Sequence, residues 1–177
     1  MNLADIAAAA GLRTPVRHQL FINGQFVDAE SGETLATLNP HDNSVIAEVA
    51  MAGRADVDKA VAAAHRAFIS GPWPTLTATA RGKLLYRLAD LVQAAAPRLA
   101  ALETRDTGKI IRETSAQIAY VAEYYRYYAG LADKIEGAHL PIDKPDMEVW
   151  LRREPVGVVA AIVPWNSQLF LSAVKLG

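Results

Sequence analysis

The chain contains no cysteine. This excludes a disulfide framework, a thiolate metal site and a thiol nucleophile within its 177 residues. Histidine is scarce: His18, His41, His65 and His139 stand far apart, none shows a zinc spacing such as HExxH, and no metal site is expected. An excess of one charge is also missing, since 18 Lys and Arg against 19 Asp and Glu leave a net charge of −1. The basic residues are thinly spread, without the dense positive patch that a phosphate backbone requires, so nucleic acid is not an expected partner. No apolar run reaches membrane-spanning length, and Met1–Gly11 carries Asp5 and no basic n-region, so a soluble cytoplasmic protein without membrane contact is expected. There is no internal repeat, no low-complexity linker and no GxGxxG phosphate loop. What remains is 51% hydrophobic and 21% charged, an ordinary globular composition able to bury a core.

Residues 1–18 are alanine-rich and then polar, and Pro15 argues against a helix continuing into the body, so a loosely attached tail is expected. From Leu20 the pattern alternates. Leu20-Phe21-Ile22 and Gln25-Phe26-Val27 flank Asn23-Gly24, the strongest short signal of a β-hairpin. Strand-like pieces follow at Thr37–Asn39 and Val45–Val49, with turn chemistry at Ser31-Gly32-Glu33 and Asn39-Pro40-His41-Asp42.

The middle of the chain reads as four helices. Asp56–Ser70 places Val57, Ala60, Val61, Ala64 and Phe68 on one face and ends at Gly71-Pro72-Trp73-Pro74. The second runs from Thr79 to Ala95, with Thr77 or Thr79 as cap and a stripe of Leu84, Leu85, Leu88, Leu91 and Val92. The third opens near Pro97 and stops at Gly108. The fourth extends from Glu113 to Ile135, and its tyrosines, at helical spacing, are expected to pack against neighbours rather than to stack on bases. After Gly137, prolines frame a short extended piece, and Met147–Arg153 alternates like an exposed strand.

Val158–Val163 differs from every earlier strand because it is apolar on both faces, the pattern of a parallel strand covered by helices. It delivers Pro164-Trp165-Asn166 at its carboxyl end, where open α/β sheets place ligands. Two roles for Asn166 stand level on spacing alone. Its amide could donate to an oxygen that becomes negative during reaction, or it could cap the helix that begins near Leu169. That helix runs into the chain end at Gly177 with no partner strand after it, which gives the expectation of the front part of an enzyme.

The segment Pro155–Asn166 resembles the first Rossmann strand and Pro-Trp-Asn motif of the NAD(P)-dependent aldehyde dehydrogenase superfamily. The resemblance extends back to about residue 19. Phe21–Val27 is similar to that family's opening hairpin, Asn39-Pro40 to its following turn, and Asp56–Val61 to its first helix; Arg81–Leu85, Glu103–Lys109 and Tyr124–Gly130 match the next three. The resemblance implies an α/β fold, the truncated N-terminal part of the aldehyde dehydrogenase fold. It divides into a tail (1–18), the N-terminal part of a cofactor-binding domain (19–137), a bridging and oligomerisation arm (138–155), and the first Rossmann strand with its loop and next helix (156–177).

The implied activity is oxidation of an aldehyde to a carboxylic acid with NAD or NADP as hydride acceptor. In that family a cysteine thiolate attacks the carbonyl, an asparagine amide and a backbone N–H hold the oxyanion, and a glutamate activates water against the thioester. Carried over residue by residue, Asn166 matches the oxyanion asparagine, and Ile162, Val163, Pro164 and Trp165 match positions lining the nucleotide site. Lys175 matches a helix lysine sometimes given a supporting electrostatic role, although a solvated helix lysine is an equally good reading. Many members continue Pro-Trp-Asn with an aromatic residue and proline, where this chain has Ser167-Gln168. The cysteine and glutamate are expected beyond Gly177, so these residues alone are expected to be inactive, with homo-oligomers formed by the intact enzyme. Two competing readings are a non-catalytic truncated protein that joins full-length subunits through its arm, and an unrelated nucleotide-binding module.

Overall fold

The computed structural model describes residues 16–177. Most of the expected tail lies outside the described residues, and its last three, Val16–His18, form strand β1. The hairpin follows as β2 (Leu20–Ile22) and β3 (Gln25–Val27), antiparallel, with Phe21 opposite Phe26 and their ring centroids 5.0 Å apart. Asn23 and Gly24 have φ of +54° and +76°, the two left-handed residues that a type I′ turn needs to match strand twist.

Strands β4 (Thr34–Leu38) and β5 (Val45–Ala50) pair antiparallel, with a register shift between Thr37 and Leu38. β1 adds to the other side of β5 in parallel, giving the order β1-β5-β4. The turn between β4 and β5 is closed by side chains: Asn39 Oδ1 accepts from the His41 amide at 3.1 Å and Asp42 Oδ1 from the Ser44 amide at 2.9 Å.

Helix α1 spans Arg54–Ser70. Its first turn is fastened by Asp56, 3% exposed, whose carboxylate accepts from the Gly53 amide at 3.0 Å and from the Glu30 amide at 3.1 Å. The buried face of α1 carries Asp56 and Ala63, while Val57 and Val61, expected inside, are half exposed. The small-residue side, Ala60, Ala63, Ala64 and Ala67, faces the hairpin at Phe21–Gly24. A 3-10 turn at Trp73–Thr75 leads to α2 (Ala78–Ala94), where Thr77 is the cap and accepts from the Ala80 amide.

Helix α3 (Ala96–Thr107) begins with Pro97 and ends at Gly108, whose φ of +76° is the left-handed stop anticipated for it. Helix α4 (Ile111–Leu131) stops four residues before the expected end at Ile135. Its buried residues, Thr114, Ile118, Val121, Ala122, Tyr125 and Ala129, recur every three or four positions and face the rest of the bundle. The core joins Val121, Ala122 and Tyr125 to Ala89 of α2 and Ala173 of the terminal helix α5 (Gln168–Leu176), flanked by Leu85, Leu88, Val92, Tyr124 and Phe170. Leu84 and Leu91 fall on the exposed edge of α2, because the line of nearest approach is occupied by Gly82 and Ala89. The expected packing holds for part of the tyrosine row: Tyr125 is buried and Tyr124 lies edge-on to Phe170 at 6.0 Å, whereas Tyr120 and Tyr127 are 57% and 64% exposed. No described helix is long and apolar enough to cross a membrane.

Beyond α4, β6 (Ala138–Leu140) and β7 (Val149–Leu151) form a separate antiparallel pair, in which His139 stacks on Trp150 at 4.4 Å. The expected strand Val158–Val163 does not form. Residues 152–164 carry no regular structure, and Val156 is 94% exposed and Ile162 86%. The cause is physical. A parallel strand is held by hydrogen bonds to adjacent strands and by helices on both faces, and none of the described strands pairs with this segment.

Candidate functional site

Asn166 lies in the turn between this extended segment and α5, and it is exposed. The cap position of α5 belongs to Ser167, so Asn166 does not cap the helix. Among the described residues the Asn166 amide group makes no hydrogen bond, while its backbone carbonyl accepts from Ser167 Oγ at 2.6 Å. Ile162 and Trp165 are 86% and 77% exposed, Pro164 is exposed and Val163 half-buried, so the apolar stretch that precedes Asn166 is largely uncovered. Gly157, with φ of +114°, opens that segment. Lys175 sits exposed in the last turn of α5, where a cation complements the helix dipole. One helix thus separates Lys175 from Asn166 by about 13 Å at the usual rise per residue, and the described residues do not bring the two together.

Behind Asn166 stands a polar cluster built from Glu103, Lys109, Gln117 and Ser167. Glu103 lies on the buried face of α3 beside Ala100, Ala101 and Thr104, and is only 4% exposed. Neither carboxylate oxygen has a hydrogen-bond partner among the described residues. Gly108 then turns the chain so that Lys109 comes back toward Glu103, placing Nζ 3.8 Å from Oε1. The same ammonium donates to Gln117 Oε1 of α4 and, at 3.2 Å, to Ser167 Oγ. Burial pushes the Glu103 carboxyl above its ordinary value, and the nearby Asp106 adds to this; Lys109 and the Leu169 amide pull it down without reversing the shift. Desolvation therefore outweighs an ion pair of this length.

Asp106, one turn further along α3, ties the three layers at this point. Its carboxylate accepts from Thr37 Oγ1 of β4 at 3.3 Å and from Gln168 Nε2 of α5 at 3.0 Å. Beneath these bonds a cavity of about 480 Å³ opens between the β1-β5-β4 sheet and α3, walled by Val16, Ile46, Val49, Leu102 and Leu169; Asn166 does not line it. The one sequence signal for the cluster was a glutamate at the apolar spacing of α3, three residues after Ala100.

Comparison with known proteins covers nearly the whole chain. The model of the aldehyde dehydrogenase family matches residues 26–177. The chain is 66% identical over 159 residues to a (Z)-2-((N-methylformamido)methylene)-5-hydroxybutyrolactone dehydrogenase of Acinetobacter baylyi, covering 90% of this chain and 32% of that protein. It is 44% identical over 179 residues to a mitochondrial benzaldehyde dehydrogenase of Antirrhinum majus, covering 97% and 33%. Among solved structures, a Staphylococcus aureus betaine aldehyde dehydrogenase double mutant in complex with NAD+ superposes with a TM-score of 0.88 at 36% identity, over 97% of this chain and 34% of that one. The NAD+ complex of an aldehyde dehydrogenase from Bacillus cereus gives 0.86 at 43% identity, over 96% and 34%. The chain spans about a third of the length of each of these four proteins.

Proposed function

The chain belongs to the aldehyde dehydrogenase family, and we propose from that premise that it supplies the oxyanion donor and part of the nucleotide wall of an enzyme that oxidises aldehydes to carboxylic acids. The observation that carries this reading is the exposed Asn166 amide, which neither caps α5 nor bonds to another described residue. A buried, satisfied carboxamide would be committed to structure; this one is available to a substrate oxygen. As the carbonyl carbon of an aldehyde is attacked, negative charge gathers on its oxygen, and a side-chain N–H aimed there stabilises that charge by roughly 3 to 4 kcal/mol.

The apolar strip formed by Ile162, Val163, Pro164 and Trp165 fits a nucleotide cofactor, NAD or NADP, because its side chains offer an uncovered surface on which flat rings can lie. When bound, the nicotinamide ring supplies the hydride acceptor. The roles left to this chain are to line that ring system, to exclude water from it and to hold the substrate oxygen. Because the 177 residues include no cysteine, the attacking thiol comes from elsewhere in the enzyme, as does the glutamate that activates water. Lys175, exposed at the far end of α5, is read equally well as a solvated helix lysine and as a distant electrostatic support. Relatives named for substrates as different as a hydroxybutyrolactone and benzaldehyde share this third of their length, which supports assigning to it the steps common to all.

Oligomerisation through the β6–β7 pair belongs to the same proposal. The pair is largely exposed, with Trp150 66% and Leu151 55% accessible, and an edge of this kind is suited to pairing with a second copy.

The test is Asn166→Ala in the intact enzyme, with turnover measured at saturating aldehyde and cofactor. A fall of about two to three orders of magnitude is expected. Turnover equal to that of the parent enzyme removes Asn166 from the oxyanion role.

A further inference from the structure

We propose that Lys109 and Ser167 are positioning residues for Asn166, forming a relay in which the Lys109 ammonium holds the Ser167 hydroxyl and that hydroxyl holds the Asn166 carbonyl; the proposal rests on the oxyanion reading above. The geometry is continuous. Lys109 Nζ lies 3.2 Å from Ser167 Oγ, and Ser167 Oγ lies 2.6 Å from the Asn166 carbonyl oxygen. A serine hydroxyl has one proton, so donating it to the carbonyl leaves its lone pairs for the ammonium, and each bond polarises the other.

Two further observations point the same way. A serine at a helix N-cap ordinarily turns its oxygen onto the free amides of the first turn, yet Ser167 makes no side-chain capping bond. Its hydroxyl is diverted backward onto Asn166. The second is that, among the described residues, the Asn166 backbone makes no other hydrogen bond. The Asn166 backbone is thus held from its C-terminal side. The ammonium in turn is fixed from two more directions, by Gln117 Oε1 of α4 and by the buried carboxylate of Glu103 at 3.8 Å. The relay therefore runs from the helical core to the catalytic turn, and it depends on the hydroxyl of Ser167.

The experiment uses the intact enzyme containing this chain, with Ser167→Ala, Ser167→Thr, Asn166→Ala and the Ser167→Ala, Asn166→Ala pair. Ser167→Ala removes only the hydroxyl and leaves Lys109 its contacts with Glu103 and Gln117. Its kcat is expected to fall roughly ten- to hundredfold, the scale of a misplaced catalytic group, with the KM for cofactor and the melting temperature unchanged. Ser167→Thr, which keeps the hydroxyl, recovers most of the loss. In the Asn166→Ala background, Ser167→Ala has no additional effect, since the group it positions is gone. A parent-like kcat for Ser167→Ala beside a strongly impaired Asn166→Ala overturns the relay alone, as do multiplying losses in the pair. A parent-like kcat for Asn166→Ala overturns the oxyanion reading and the relay with it.

Discussion

Helices α2 and α4 are in tight contact at Gly82, and alanine there should destabilise the chain although alanine is the better helix former. A Cβ at position 82 would lie 2.7 Å from the Ala129 carbonyl oxygen, roughly 0.7 Å short of the 3.4 Å of ordinary contact. That oxygen belongs to the backbone of α4 and cannot rotate away, so the helices must part. A gap of about 0.5 to 1 Å forfeits a quarter to a half of the dispersion energy across the contacts it opens. Overfilling of this kind costs about 1 to 3 kcal/mol, against a propensity gain of about 0.8 to 1 kcal/mol. The net expectation is a loss of about 1 kcal/mol, seen in urea unfolding as a midpoint lowered by roughly 0.5 M at an ordinary slope. Gly130, also helical, is the control. A Cβ there would meet only the Tyr86 Oη at 3.3 Å, the tip of a half-exposed side chain that can swing aside, so Gly130→Ala should raise the midpoint slightly. A Gly82→Ala midpoint at or above that of the parent chain refutes the crowding argument.

Glu103 predicts a pH dependence. Burial holds its carboxyl above the ordinary value of 4.5, so the folded chain binds this proton more readily than the unfolded one. The Glu103 contribution to stability therefore falls as pH rises from 4.5 through the folded-state value, and stays lower above it. Glu103→Gln should remove that slope from urea midpoints measured across the acid range; parallel profiles for both chains would contradict it. Asp56→Ala leaves the Gly53 and Glu30 amides without their acceptor and should cost about 1 to 3 kcal/mol by the same assay, an unchanged midpoint counting against the role of Asp56 in fastening α1. Residues 1–177 mixed with aldehydes and NAD should form no NADH, for want of a thiol; cofactor-dependent turnover by this polypeptide alone would defeat the division of labour proposed above.

Features made by neighbours in sequence were legible before folding. The Asn23-Gly24 turn, a threonine cap at Thr77 or Thr79 and the Gly108 stop each depend on backbone torsions and hydrogen bonds within a few residues, and the structure has all three, with Thr77 as the cap. Family kinship was legible for the same reason, since the Pro-Trp-Asn run and the helix motifs are contiguous. Periodicity located the helices but not their inward faces: Val57 and Leu91 fit an apolar stripe and lie outside it, because which side is buried depends on the partner helix. The strand expected at Val158–Val163 shows the same limit, as strand formation depends on adjacent strands that the described residues do not provide.

Position 166 divides along this line. That an asparagine follows Pro164-Trp165 at the entrance to a helix is local information, and the amino-acid order settled it alone. That its carbonyl is held by Ser167, and Ser167 by a lysine 58 residues earlier, required α3, α4 and α5 to pack together. Hydrogen bonds of such reach leave no period in a sequence, because the chain between their ends is free to take any path until the core closes around it.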